Sequence, residues 1–209
     1  MEAILIISVV LLAYLLGSFP AGYLVGKLSG VNVLGVASGR TGGTNVMRAA
    51  GALAGLLTGV LDAGKGLLAV WLAGQITGSP LAESLAGGAV VLGHCYSIFL
   101  GFRGGGGVAT SFGATGAICL PLGFAMFILL IAVIAISRMA SVGSLTVTTL
   151  LPIILLILGL TGTLPLIYLL YGVLVWMIIV YSHRPNIGRL IAGTERRLGE
   201  PKSDPPPSQ

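Results

Sequence analysis

From residue 107 to residue 136 the chain carries no charged side chain, and this stretch of about 30 residues exceeds the roughly 20 needed to cross a bilayer once. Such a run reads as membrane-spanning. Pro121, between Leu120 and Leu122, removes an N–H and crowds the preceding turn, so a break into two helices is expected there, the first of them short. A single tilted helix would leave Arg138 on the wrong side of the membrane. Composition agrees with lipid as the solvent. Of 209 residues, 56% are hydrophobic and only 8% charged, against about 25% charged in soluble domains. The 33 glycines then read as points of close helix packing. Cys95 and Cys119 have no metal-like spacing and read as small buried residues.

Further apolar runs lie at about 3–26, 52–74, 84–100, up to 160 after the polar stretch 137–144, and 164–181. Glu2 precedes the first run, no basic residue does, and Lys27 follows it. It therefore reads as a retained helix rather than a signal peptide, with its C-terminal end in the cytoplasm. The expectation is an all-α integral membrane bundle of seven transmembrane helices over residues 1–198, N-terminus outside and C-terminus cytoplasmic. The polar, proline-rich tail, 199–209, is expected to be disordered. Of the eleven Lys and Arg, ten fall on the inner side and the exception is Lys65. Asp62 and Lys65 share one helical face with Gly55, Gly59 and Gly66. A charge at mid-membrane costs at least about 2.5 kcal/mol, so that face is expected to be buried, the two charges forming a structural pair rather than a proton relay.

Four polar segments then fall at the inner surface: 38–48, 103–110, 137–144 and 183–189. Each holds at least one arginine beside Ser, Thr, Asn, His or Gly. The second contains four consecutive glycines, Gly104, Gly105, Gly106 and Gly107, after Arg103 and before Thr110. Such a run is either a flexible turn or backbone that approaches an anion closely, its N–H groups feeding a helix N-terminus. Arginine forks match phosphate oxygens, and hydroxyl, amide and backbone N–H groups complete an oxygen shell. Acidic residues are nearly absent from these segments, which disfavours a divalent metal. Taken jointly, the four segments favour a phosphate site. No Ser-His-Asp set is evident.

The motifs at 17–23, 38–48, 62–66, 93–94, 102–110 and 183–187 together resemble the PlsY family, bacterial acyl-phosphate:glycerol-3-phosphate acyltransferases. The resemblance implies transfer of a fatty acyl group from acyl phosphate to the sn-1 hydroxyl of glycerol 3-phosphate, giving lysophosphatidic acid as the first step of phospholipid synthesis. It further implies a bacterial inner-membrane protein with its site open to the cytoplasm, coupled to an enzyme that forms acyl phosphate. Membrane lipid surrounds it; no cofactor, metal or nucleic acid is expected. Carried over by position, Ser38, Thr44, Asn45 and Arg48 would line the site from the first loop, while Arg40, Arg103, the four glycines and Thr110 are expected from their residue types to bind substrate and phosphate with them. Catalytic parts would fall to Ser141, Ser144, His183 and Asn186. Two positions depart from the family pattern: Gly106 stands where a lysine is usual, and Arg40 where an asparagine is usual. Arg40 is expected to take over part of the missing charge. The competing readings are a transporter of a phosphorylated metabolite and, because of Gly106, an inactive paralogue.

Overall fold

The computed structural model describes residues 1–36 and 38–199, and among these the secondary structure is helical, with no strand beyond an isolated bridge between Ser97 and Arg103. Of the tail expected to be disordered, all but Gly199 lies outside the described residues.

The first apolar run folds as α1 (Glu2–Ser18) and α2 (Ala21–Leu28). The expected single helix is thus interrupted. Pro20 is the cause: the residue before a proline is driven out of the α region, and Phe19 sits at φ −54°, ψ 118°. The carbonyls freed at the break are met by other parts of the chain: Ser97 Oγ donates to Ser18 O at 2.5 Å, and Lys65 Nζ to Phe19 O at 3.0 Å. The polar stretch that follows contains a helix that composition hid, α3 (Gly43–Ala50), short enough for tertiary packing to decide its existence.

α4 (Ala52–Thr77) ends on Gly78 in the left-handed region, φ +61°. α5 (Pro80–Cys95) begins two residues later, with the Ser79 side chain capping Ala82 N and Pro80 in the first turn. The loop expected over 74–83 therefore shrinks to Gly78 and Ser79. Glu83 is drawn into the fold by Tyr168, whose hydroxyl donates to Glu83 Oε2 at 2.6 Å. α6 (Val108–Ile118) and α7 (Leu120–Ser137) divide at Cys119, as Pro121 predicts. Cys95 is buried, but Cys119 is only half-buried because it stands at that division. α8 (Ala140–Leu160) starts earlier than expected, so Ser141 and Ser144 lie on its first turns rather than in a loop. α9 (Tyr168–Ser182) runs into α10 (Arg184–Ile191), helical where an irregular segment was expected.

Among the described residues, four helices or helix pairs are long and apolar enough to cross a membrane: Glu2–Leu28, Ala52–Thr77, Leu120–Ser137 and Ala140–Leu160; Val108–Ile118 and Tyr168–Ser182 are apolar but shorter. Large apolar side chains such as Leu53, Trp71, Ile128 and Ile136 point outward, while Asp62 and Lys65 are buried, as a lipid solvent requires. Glycines bring backbones together. A Cβ at Gly17 would stand 2.1 Å from Val90 O and one at Gly93 2.2 Å from Tyr14 O, which locks α1 onto α5. Gly66 and Gly113 do the same for α4 and α6. Tyr171 of α9 is fully buried, its hydroxyl donating to Ser111 O at 2.8 Å and pairing with Thr115 Oγ1 at 2.9 Å.

A paired substitution checks this packing. Gly113→Ala, whose Cβ would lie 1.7 Å from Ala63 O, is expected to destabilise the protein by at least about 1–3 kcal/mol. Gly64→Ala, which meets nothing within 4 Å, is expected to leave the detergent-solubilised melting temperature unchanged or higher.

Candidate active site

The glycine run is held from three sides. Thr41 N donates to Gly104 O at 3.2 Å, Gly105 N to His94 O at 3.0 Å, and Ser182 Oγ to Gly106 O at 3.4 Å. Gly107, at φ +88°, is the left-handed residue that opens α6. A Cβ would strike His94 O at 2.1 Å from position 104 and His94 Nε2 at 2.0 Å from position 105. Position 106 differs from these: a Cβ there would stand 3.2 Å from His183 Cε1 and 3.9 Å from an Arg40 guanidinium nitrogen. It is the member of the run with room for a side chain, and that side chain would enter the space between His183 and Arg40. The N–H groups of Gly106, Gly107 and Val108 take no acceptor among the described residues, so the start of α6 offers unpaired donors of the kind that hold anions.

Arg40 is half-buried and donates from its guanidinium to Ser182 O, a carbonyl at the C-terminal end of α9. That bond ties the first inner segment to the last. His183 follows directly and is buried. Its Nδ1 lies 2.9 Å from Ile179 O and 3.2 Å from Ser182 Oγ. A carbonyl can only accept, so Nδ1 is assigned the proton and Nε2 keeps its lone pair, 3.5 Å from the Cβ position at Gly106. Burial and the nearby Arg40 charge push the His183 imidazole down to about 4, so it is neutral at physiological pH.

Asn45 organises the first inner segment. Its Nδ2 donates to the carbonyls of Val33 (3.0 Å), Val36 (3.1 Å) and Arg40 (2.8 Å), while its Oδ1 accepts from Ser38 N at 3.1 Å. The side-chain amide is thereby spent on the loop that carries Arg40. Ser38, Thr44 and Arg103 are exposed. Thr110 is fully buried, and its hydroxyl has no partner among the described residues. Ser144 is half-buried and returns its hydroxyl to Ala140 O in its own helix at 2.8 Å.

Ser141 and Asn186 meet on a residue that the sequence reading passed over, Glu195. Ser141 Oγ donates to its Oε1 at 2.9 Å, Asn186 Nδ2 to the same oxygen at 2.8 Å, and Arg189 Nε to Oε2 at 2.8 Å. Burial raises the pKa of the Glu195 carboxyl, but the three donors outweigh it and hold the group below the usual carboxylate range. Arg40, Arg48 and His183 all lie close enough to feel its charge, so this cluster and the glycine loop belong to one site. The available signal was a single acid inside Thr194-Glu195-Arg196-Arg197, a basic run in which an unpaired carboxylate has no reason to stand. His94 and Ser182 fasten the loop from beneath and beside; His94 stands in one of the motifs that carry the family resemblance, while Ser182 carries no such local signal.

A family model described as glycerol-3-phosphate acyltransferase matches residues 7–193. The chain is 42% identical over 200 residues to a glycerol-3-phosphate acyltransferase of Carboxydothermus hydrogenoformans, covering 95% of this chain and 100% of that one. It is also 42% identical over 193 residues to one of Rubrobacter xylanophilus, covering 92% and 95% respectively. Two crystal structures of PlsY, an integral membrane glycerol 3-phosphate acyltransferase, one in its glycerol 3-phosphate form and one in its lysophosphatidic acid form, share the fold. Their TM-scores are 0.84 and 0.83 at 36% identity, covering 93% of this chain and 96% and 95% of theirs. With matches of this length and identity, and an all-helical structure that follows an integral membrane acyltransferase almost end to end, the chain belongs to the glycerol-3-phosphate acyltransferase family.

Proposed function

We propose that this protein transfers a fatty acyl group from acyl phosphate to the sn-1 hydroxyl of glycerol 3-phosphate, releasing phosphate and lysophosphatidic acid. The observation that carries the mechanism is the neutral His183, its Nε2 facing the gap between Gly106 and Arg40. Nε2 takes the proton of the glycerol hydroxyl. That oxygen attacks the acyl carbonyl carbon, the bond from that carbon to the phosphate oxygen breaks, and the electron pair leaves with phosphate, which afterwards receives the proton. Acyl phosphate is already activated, so the site has to align two substrates and stabilise charge. Arg40 and the unpaired N–H groups at the start of α6 hold phosphate; Arg48, Arg103, Ser38, Thr44 and Thr110 complete the anion shell. Ser141, Ser144 and Asn186 act at the side formed by α8 and α10, two of them oriented by Glu195.

In this reading the bundle crosses the bacterial inner membrane seven times, with α1 and α2 as one crossing and α4 to α9 as the others. The N-terminus is outside, and the site faces the cytoplasm, where an acyl-phosphate-forming enzyme supplies the donor. The grouping of Arg40, Arg48, the glycine loop and Glu195 at one end of the helices supports it. The position of Arg40 also supports the charge replacement: its guanidinium stands against the very space that a side chain at position 106 would enter.

Three results are expected. Purified protein given palmitoyl phosphate and glycerol 3-phosphate forms lysophosphatidic acid, and palmitoyl-CoA does not replace the donor; product only from CoA, or only after Gly106→Lys, overturns the reading for the native chain. Arg40→Asn lowers kcat/KM by about tenfold or more, as loss of a charge-assisted phosphate contact should, and Arg40→Asn with Gly106→Lys recovers most of it. An unchanged rate in Arg40→Asn sinks the compensation. The acid limb of the kcat/KM profile falls near pH 4 rather than near the ordinary histidine value of 6.5, because the base works only while unprotonated. Arg40→Asn moves that limb upward, since a nearby positive charge is removed.

A further inference from the structure

Beneath the glycine loop lies a second group of ionisable side chains, Asp62 and Lys65 on α4 and His94 on α5. It lies against the underside of that loop and has no part in the steps above. All three are buried. Lys65 Nζ stands 2.9 Å from Asp62 Oδ1 and donates to Phe19 O at 3.0 Å; His94 Nδ1 stands 3.3 Å from the same Asp62 oxygen. The cluster therefore joins the break between α1 and α2, the middle of α4 and the end of α5. Its outer side is the loop. His94 gives its carbonyl to Gly105 N, and its imidazole lies against Gly105 so closely that a Cβ there would stand 2.0 Å from Nε2.

A hydrophobic residue at each of these positions would cost less to bury, because ionic groups lose hydration that a buried pair only partly restores. What the charges supply is direction. The carboxylate stands 3.3 Å from the His94 ring, the ring limits how closely Gly105 can approach, and the His94 carbonyl accepts from Gly105 N. A glycine run has little conformational preference of its own, so its geometry must come from what it rests on. The geometry points to Asp62, Lys65 and His94 as positioning residues that set the register of the glycine loop, and through it the affinity for the substrate phosphate. This rests on the phosphate-binding reading of the loop given above.

The test uses the full-length protein in detergent. His94→Leu, and separately the charge-neutral double variant Asp62→Asn/Lys65→Met, are expected to raise KM for glycerol 3-phosphate by about tenfold to a hundredfold, the range that a small misplacement of a binding group produces. kcat changes less. His94→Asn, whose amide nitrogen can stand in for Nδ1 against Asp62, recovers most of the KM. Leu155→Ala, a cavity in the core of α8, lowers the melting temperature without the KM shift. Deuterium uptake in the peptide spanning 98–110 rises in His94→Leu and in the double variant and returns toward wild type in His94→Asn. Wild-type KM and uptake in His94→Leu and the double variant, or a KM shift in Leu155→Ala equal to theirs at equal melting temperature, overturns the positioning role. If the wild-type protein forms no lysophosphatidic acid, the function reading has failed, and the deuterium uptake alone still decides for or against the cluster's hold on the loop.

Discussion

In hydrocarbon an unpaired backbone carbonyl or amide costs several kcal/mol, so wherever this chain leaves the helix inside the bundle another element must supply the missing partner. The break at Phe19 and Pro20 is closed by Ser97 and Lys65, the turn after α5 by the bridge from Ser97 to Arg103, and the end of α9 by Arg40 on Ser182 O. Apart from the bridge between Ser97 and Arg103, these repairs are not local. They bind segments far apart in the chain, and together they gather the first inner segment, the glycine loop and the end of α9 into one place.

The same requirement shapes the chemistry. In the proposed reaction the site needs positive charge for phosphates, yet a base beside that charge must stay unprotonated. Burial of His183 and the field of Arg40 work in the same direction, keeping the imidazole neutral, while the Ile179 carbonyl fixes which nitrogen is free. Glu195 balances the arginines from the other side and is itself held ionised by Ser141, Asn186 and Arg189. Removing one member of such a network leaves a buried charge without its partner, which costs more than the pair contributes.

Much of this could be read from residue order. Lipid as solvent, the inward face of Asp62 and Lys65, the division at Pro121 and the gathering of arginines on one side all follow from composition and spacing. Helix ends were less legible. The expected loops over 74–83 and 137–144 are mostly helical, because Ser79 and Pro80 start α5 early and Arg138, at φ +59°, allows α8 to begin two residues later. α3 and α10 escaped notice because short polar helices carry no apolar run and depend on neighbours for stability.

For the site, the residue types were legible and their partners were not. Asn45 and Asn186 look alike in sequence, each beside an arginine, yet one spends its amide on its own loop and the other on Glu195. Gly104 to Gly107 look identical, yet only the fold distinguishes position 106, the one with space above it, from 104 and 105, which rest on His94. The sequence by itself determined the solvent, the helical class and the supply of arginines, hydroxyls and glycines, because these depend on hydrophobicity, charge and backbone freedom, properties each residue carries with it. Which groups meet was decided by the tertiary structure alone, because a hydrogen bond between residues 40 and 182, or between 94 and 105, depends on how helices pack and not on what either neighbourhood contains.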